Sequence, residues 1–306
     1  MKKVTKTNVI FTALILIYII MTFSIRLIPK RFLTYNLLLV LPEIVILLAA
    51  LGVAKLLKVD TLKEPKFTAV SIGTCVKSVI LAFLCLPLIG AISAITSNIS
   101  GNTASNAISK VMDNPLWLNL LLLAVLPALV EEYVFRGLIF LGYKKRNPLK
   151  AVLLSAALFG FMHLNINQFS YAFVLGIVLA LLVYATGSII PGILVHFTIN
   201  GYSVVVSYIL ANKVSDSTDA VNEAATGQIT VFTILFLIAV LIMLTSFAVR
   251  LFLNICKHNR GINSVKNIFT KDMWNTYADE GKFIDGYLMT GVIICIVFIV
   301  YFDFIV

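Results

Sequence analysis

The segment LVEEYVFRGLIF, residues 129–140, places two carboxylates and a guanidinium inside an apolar run. Residues 116–130, LWLNLLLLAVLPALV, carry no charge at all. A charge in hydrocarbon costs at least ~2.5–3.5 kcal/mol by insertion scales, so such groups are functional candidates by default. On an α-helix residues advance by roughly 100° each, which puts Glu132 and Arg136 about 40° apart and Glu131 and Arg136 about 140° apart. Acid before base at i,i+4 is the favourable order for a pair. Arg136 can therefore neutralise Glu132 and hold it in place. Glu131 is left to find a partner on another helix, as a general base in waiting would be.

Two of the three histidines lie in apolar segments as well. His163 closes LFGFMH, and His196 sits in IIPGILVHFTIN (189–200), four residues before Asn200. On a helix His196 and Asn200 project from one face, a turn apart. An imidazole and a carboxamide can both donate hydrogen bonds, which suits an oxyanion hole or a clamp on a carbonyl. Each piece has a bland reading: a Glu–Arg lock, a packing histidine, a capping asparagine. Their concentration within residues 131–200 favours a site. The third histidine, His258, falls in a basic loop and is read as solvated. Other charges in apolar runs are Glu43, Lys77 and Asp303. Lys77 can snorkel to an interface. Asp303 is near enough to the chain end to reach water, and Glu43, after Pro42, is harder to dismiss.

The elements that must carry these residues are membrane helices. The chain has 306 residues, 60% hydrophobic and 12% charged, with a mean hydropathy of +1.01. A soluble domain is roughly 45–50% apolar and about 25% charged. Apolar runs at 9–27, 35–54, 68–94, 116–142, 149–165, 169–186, 189–211, 229–252 and 284–304 predict an all-α, polytopic integral membrane bundle of about eight to nine spans. Residues 1–115 form an N-terminal set of helices, 116–210 the core with the polar residues, and 211–306 a C-terminal set with a basic loop. The first run follows Lys2, Lys3 and Lys6 like a signal peptide. Its core is too long and no small-residue cleavage site follows, so it is read as a retained helix. The net charge of +10 is explained by topology rather than by a nucleic-acid partner. With the N-terminus cytoplasmic, most lysines and arginines collect on that side. Arg26, Lys30 and Arg31 in the first loop run against this. Cys75, Cys85, Cys256 and Cys295 form no CxxC and are read as packing residues.

Taken together, EEYVFR matches an EExxxR motif, FGFMH an FxxxH motif (Phe159, His163) and HFTIN an HxxxN motif (His196, Asn200). Their order and spacing over about residues 116–210 resemble the CPBP family of intramembrane proteases, also called the CAAX protease or Abi family. It includes Rce1-type prenyl-protein proteases and bacterial bacteriocin-processing or immunity proteins. The resemblance implies an Rce1-like core and endoproteolytic hydrolysis of a membrane-associated peptide or protein. Carried over by motif, Glu131 and His163 would position and activate a water. His196 and Asn200 would stabilise the oxyanion, and Glu132, Arg136 and Phe159 would support the site. Glu131, His163 and His196 could also supply the three protein ligands of an open Zn2+ site. A metal-free water is favoured, because every polar group already has a role in acid–base or oxyanion work. The alternatives are a non-catalytic immunity or scaffold protein on the same fold and a proton-coupled transporter. A sensor with its own output domain is disfavoured, because loop 253–283 is too short for one. Lysine-, isoleucine- and asparagine-rich usage suggests a bacterial cell membrane. In the nine-span arrangement His163 falls toward the outer end of the fifth span. A site open to the cytoplasm then needs that helix offset or broken.

Overall fold

Most described residues are helical and none is in a strand, as expected where lipid cannot satisfy backbone groups. The structure, a computed structural model, describes residues 1–60, 67–100, 109–111, 113–214, 231–270 and 283–305. Its helices are α1 (Lys3–Ile25), α2 (Tyr35–Leu56), α3 (Ile72–Thr96), α4 (Leu116–Lys144), α5 (Pro148–Phe161), α6 (Ile166–Thr186), α7 (Ile190–Val214), α8 (Val231–His258), α9 (Ile262–Asn267) and α10 (Gly286–Phe304). Eight are long and apolar enough to cross a membrane. The chain is an integral, multi-pass membrane protein.

The exception among the nine expected spans is 149–165. Asn147 Oδ1 accepts from Lys150 N at 3.0 Å, and Pro148 at the first position starts α5 in the usual way. The helix stops at Phe161 after 14 residues, about 21 Å at the α-helical rise and short of the ~30 Å hydrocarbon core. Leu164 then adopts a left-handed conformation at φ 51°, and Asn165 Oδ1 caps α6 by accepting from Gln168 N at 3.0 Å. The four-residue turn folds α6 back along α5, so His163 sits in a turn whose depth is set by a short helix.

That turn is tied down from two sides. Asp303 of α10 accepts from Ile166 N at 2.7 Å and from Asn165 Nδ2 at 2.6 Å. Asp303 therefore caps a helix, where the sequence suggested only contact with water. Asn167 donates to Ser93 O at 2.7 Å and Thr96 Oγ1 at 2.9 Å, both on α3. His258 is exposed but also bonded: its Nε2 lies 3.0 Å from Ser71 Oγ at the start of α3.

Two apolar clusters fill the interior. One joins α1, α2, α4, α5, α6 and α10 around Phe11, Ile139, Phe140 and Leu158. The other joins α3, α6, α7 and α8 around Leu81, Leu179 and Val195. All four cysteines are free. The α4 helix runs between α2, α5 and α7 and does not wind uniformly. Leu121–Val125 and Glu132–Phe140 are π-wound. Such i→i+5 segments cluster at functional sites.

Candidate active site

The centre of the site is one carboxylate oxygen. Arg136 Nη1 donates to Glu132 Oε1 at 2.8 Å, and His196 Nδ1 lies 3.0 Å from the same oxygen. Glu132 is 0% and Arg136 1% exposed. The pair expected within one helix is formed, and it also reaches across to α7. A carboxylate only accepts, so the hydrogen between His196 and Glu132 belongs to Nδ1. That leaves Nε2 as the working nitrogen of the ring, 3.7 Å from Glu131 Oε2.

Glu131 is the last residue before the π-wound segment. Its side chain is 15% exposed, against 0% for Glu132. Adjacent in sequence, the two glutamates thus divide into one held inside an ion pair and one open to a reactant. Among the described residues the ion-pair neighbour of Glu131 is His196 and not Arg136.

Phe159 of α5 gathers the remaining groups. Arg136 stacks over its ring at 4.3 Å, a favourable cation–π arrangement. The rings of His163 and His196 meet it edge-on, at centroid distances of 5.1 and 5.8 Å. His163 Nδ1 donates to the Phe159 carbonyl at 2.9 Å, so its Nε2 is also the free face. Asn200 lies a turn beyond His196 and donates to Leu123 O of α4 at 3.3 Å. Leu123 is four residues before Pro127, which has no N–H to offer that carbonyl. One N–H of the Asn200 amide is committed to α4 and the other remains.

Glu131, Glu132, Arg136, Phe159, His163 and His196 are therefore linked by direct contact. Asn200 is held beside them through the α4 backbone. Among the described residues no group of three or more His, Cys, Asp or Glu side chains is gathered so as to hold a metal ion. Glu131, His163 and His196 do not form such a set.

Two glycines make room for the buried pair, a packing role the sequence does not state. A Cβ at Gly192 would stand 2.9 Å from Glu132 Oε2, and one at Gly176 would stand 3.3 Å from Arg136 Nη2. Gly192 is four residues before His196 and so shares its helix face, a spacing that could have found it. Gly192→Ala is expected to displace a carboxylate already fixed by two partners, costing about 1–3 kcal/mol as overpacking does. The His196 ring should also lose its fixed orientation, because its orienting oxygen moves. A variant with unchanged activity would show that Glu132 tolerates other positions.

Residues 113–202 match the family model described as type II CAAX prenyl endopeptidase Rce1-like. Comparison with curated proteins and with solved structures gave no match. The matched segment holds α4 to the first half of α7, with every residue of the site just described.

Proposed function

We infer that this chain, whose residues 113–202 match an Rce1-like family model, hydrolyses a peptide bond of a membrane-associated peptide or protein at the Glu131–His196 site. The observation that carries the reading is the shared Glu132 oxygen. It fixes His196 beside the one accessible carboxylate of the cluster.

In the proposed reaction Glu131 takes a proton from a water that His163 Nε2 helps to position. The water oxygen attacks the carbonyl carbon, and the carbonyl pair moves to oxygen. His196 enters and leaves this step as an imidazolium, and its Nε2–H and the uncommitted N–H of Asn200 donate to that oxyanion. Glu132 and Arg136 do not touch the substrate. They hold the His196 ring in one orientation, as a buried aspartate does for the histidine of a serine protease. Phe159 packs both imidazoles and the guanidinium into one layer.

The short α5 and its turn support entry from the cytoplasmic side or laterally from lipid, with the N-terminus cytoplasmic. The α5 helix is shorter than a full span, and Lys145 and Arg146 follow Lys144 at the end of α4, as basic residues do at cytoplasmic helix ends. A metal-free water fits this donor set, in which each group has an acid–base, orienting or oxyanion role.

The test is to incubate protein reconstituted in lipid vesicles with isolated membranes, before and after metal removal by a chelator. New peptide termini are expected in both conditions. Their loss on chelation and return with stoichiometric zinc would replace the metal-free mechanism. No new termini in either would favour a non-catalytic immunity or scaffold role.

A further inference from the structure

Glu43 lies outside the segment matched by the family model and outside the residues above. It follows Pro42 inside α2 and is 8% exposed, and its Oε2 has no hydrogen-bond partner. Along α2 its neighbours Ile46 and Ala50 belong to an apolar cluster. Among the described residues no lysine, arginine or histidine forms an ion pair with it. A carboxyl group out of water without a cation or a full set of hydrogen bonds is costly. Packing alone would have favoured an apolar residue here.

The group does have an electrostatic neighbour, and it is Glu131. Tyr18 of α1 lies within electrostatic reach of both carboxyls. This follows from the packing: α1 lies on α2, and α2 lies on the Leu126–Glu131 stretch of α4. Two N-terminal helices thus bring a second carboxyl and a phenol toward the one open carboxylate of the site. Nothing in the proposed reaction has yet used them.

The leaving group needs a proton, and a second carboxyl beside Glu131 can supply it while Glu131 still holds the one from water. A peptide nitrogen leaves poorly unless it is protonated as the C–N bond breaks. Glu131 takes its proton on the side of the attacking water. His196 and Asn200 face the oxyanion.

We propose that Glu43 is a further catalytic residue of this site, the acid that protonates the departing nitrogen. The proposal rests on the protease reading. The water oxygen bonds to the carbonyl carbon and one water proton passes to Glu131, while the carbonyl pair moves to oxygen. As that pair re-forms the C=O, the C–N bond breaks and the Glu43 carboxyl gives its proton to nitrogen. The products are a carboxylic acid and an amine. The proton on Glu131 then returns to Glu43 through water, restoring both groups.

An acid for the leaving group is distinguishable from a structural residue by the leaving group itself. The probe is the peptide that membranes release with the wild type and not with Glu131→Gln. It is resynthesised with its scissile amide intact or replaced by a thioester, and it is assayed with the full-length protein in lipid vesicles. A thiolate departs without a proton, since thiols have pKa values near 8.5. Glu43→Gln is expected to slow amide hydrolysis about 10²-fold or more and to leave the thioester within about twofold of wild type. Glu43→Asp, which keeps the acid, should recover part of the amide rate. Membrane abundance and thermal midpoint report whether each variant folds. Equal loss on amide and thioester would make Glu43 structural. No loss on either would make it a bystander. Both outcomes overturn the inference and leave the protease reading standing. If no peptide depends on Glu131, it is the protease reading that fails, and the role of Glu43 in this reaction goes with it.

Discussion

Arg136→Met is expected to destabilise the protein by about 3–5 kcal/mol, because it strips the charge partner from a fully buried carboxylate. Glu132 is 0% exposed and cannot turn to water. Its Oε2 has no hydrogen-bond partner, and Gly192 blocks that side once any side chain is added. Methionine keeps an unbranched stem but removes the charge and the guanidinium that stacks over Phe159. The double variant Glu132→Gln with Arg136→Met should regain much of the stability, since no buried charge is left unpaired. Thermal unfolding of the purified variants in one detergent reads this directly. A single variant as stable as the wild type would remove the ion pair as a structural element.

Glu131→Gln is expected to do the opposite: to abolish the chemistry and spare the fold. The two residues are neighbours in sequence, but Glu131 has no bond to Arg136 among the described residues. Its ionic contact is His196 Nε2 at 3.7 Å, too long for a hydrogen bond. Glutamine fills the same space and makes no new clash. Removing a general base lowers the rate typically by about 10²–10⁴-fold. Wild-type abundance and thermal midpoint with hydrolysis lost would separate base from brace. A comparable loss of stability in Glu131→Gln and Arg136→Met would undo that separation.

The sequence made the brace legible because i,i+4 spacing joins acid and base along one helix with no help from the rest of the fold. That Glu132 and not Glu131 pairs with Arg136 was legible for the same reason. The bond from Glu132 to His196 was not: its partners are 64 residues apart, and no pattern within one helix states which face of another it meets. The π-winding of Glu132–Phe140 was equally hidden, because it depends on backbone geometry that a count of 100° per residue assumes away. Span five was drawn too long because 151–162 carries no charge and the apolar run hides the helix end. What ends α5 is a left-handed Leu164 and a capping Asn165, signals weaker than hydropathy. Asp303 was visible as a charge in an apolar run. Its partner Asn165 lies 138 residues earlier, and only packing of α10 against the α5–α6 turn brings them together.

The central claim is that this site cuts peptide bonds and that Glu131 is its base. The most direct measurement compares the small peptides released by cells making the wild type or Glu131→Gln at equal membrane abundance. Peptides present with the wild type and absent with the variant are expected, and their ends would identify the substrate and the bond broken. Identical peptides from both, with both proteins folded, would contradict proteolysis at this site.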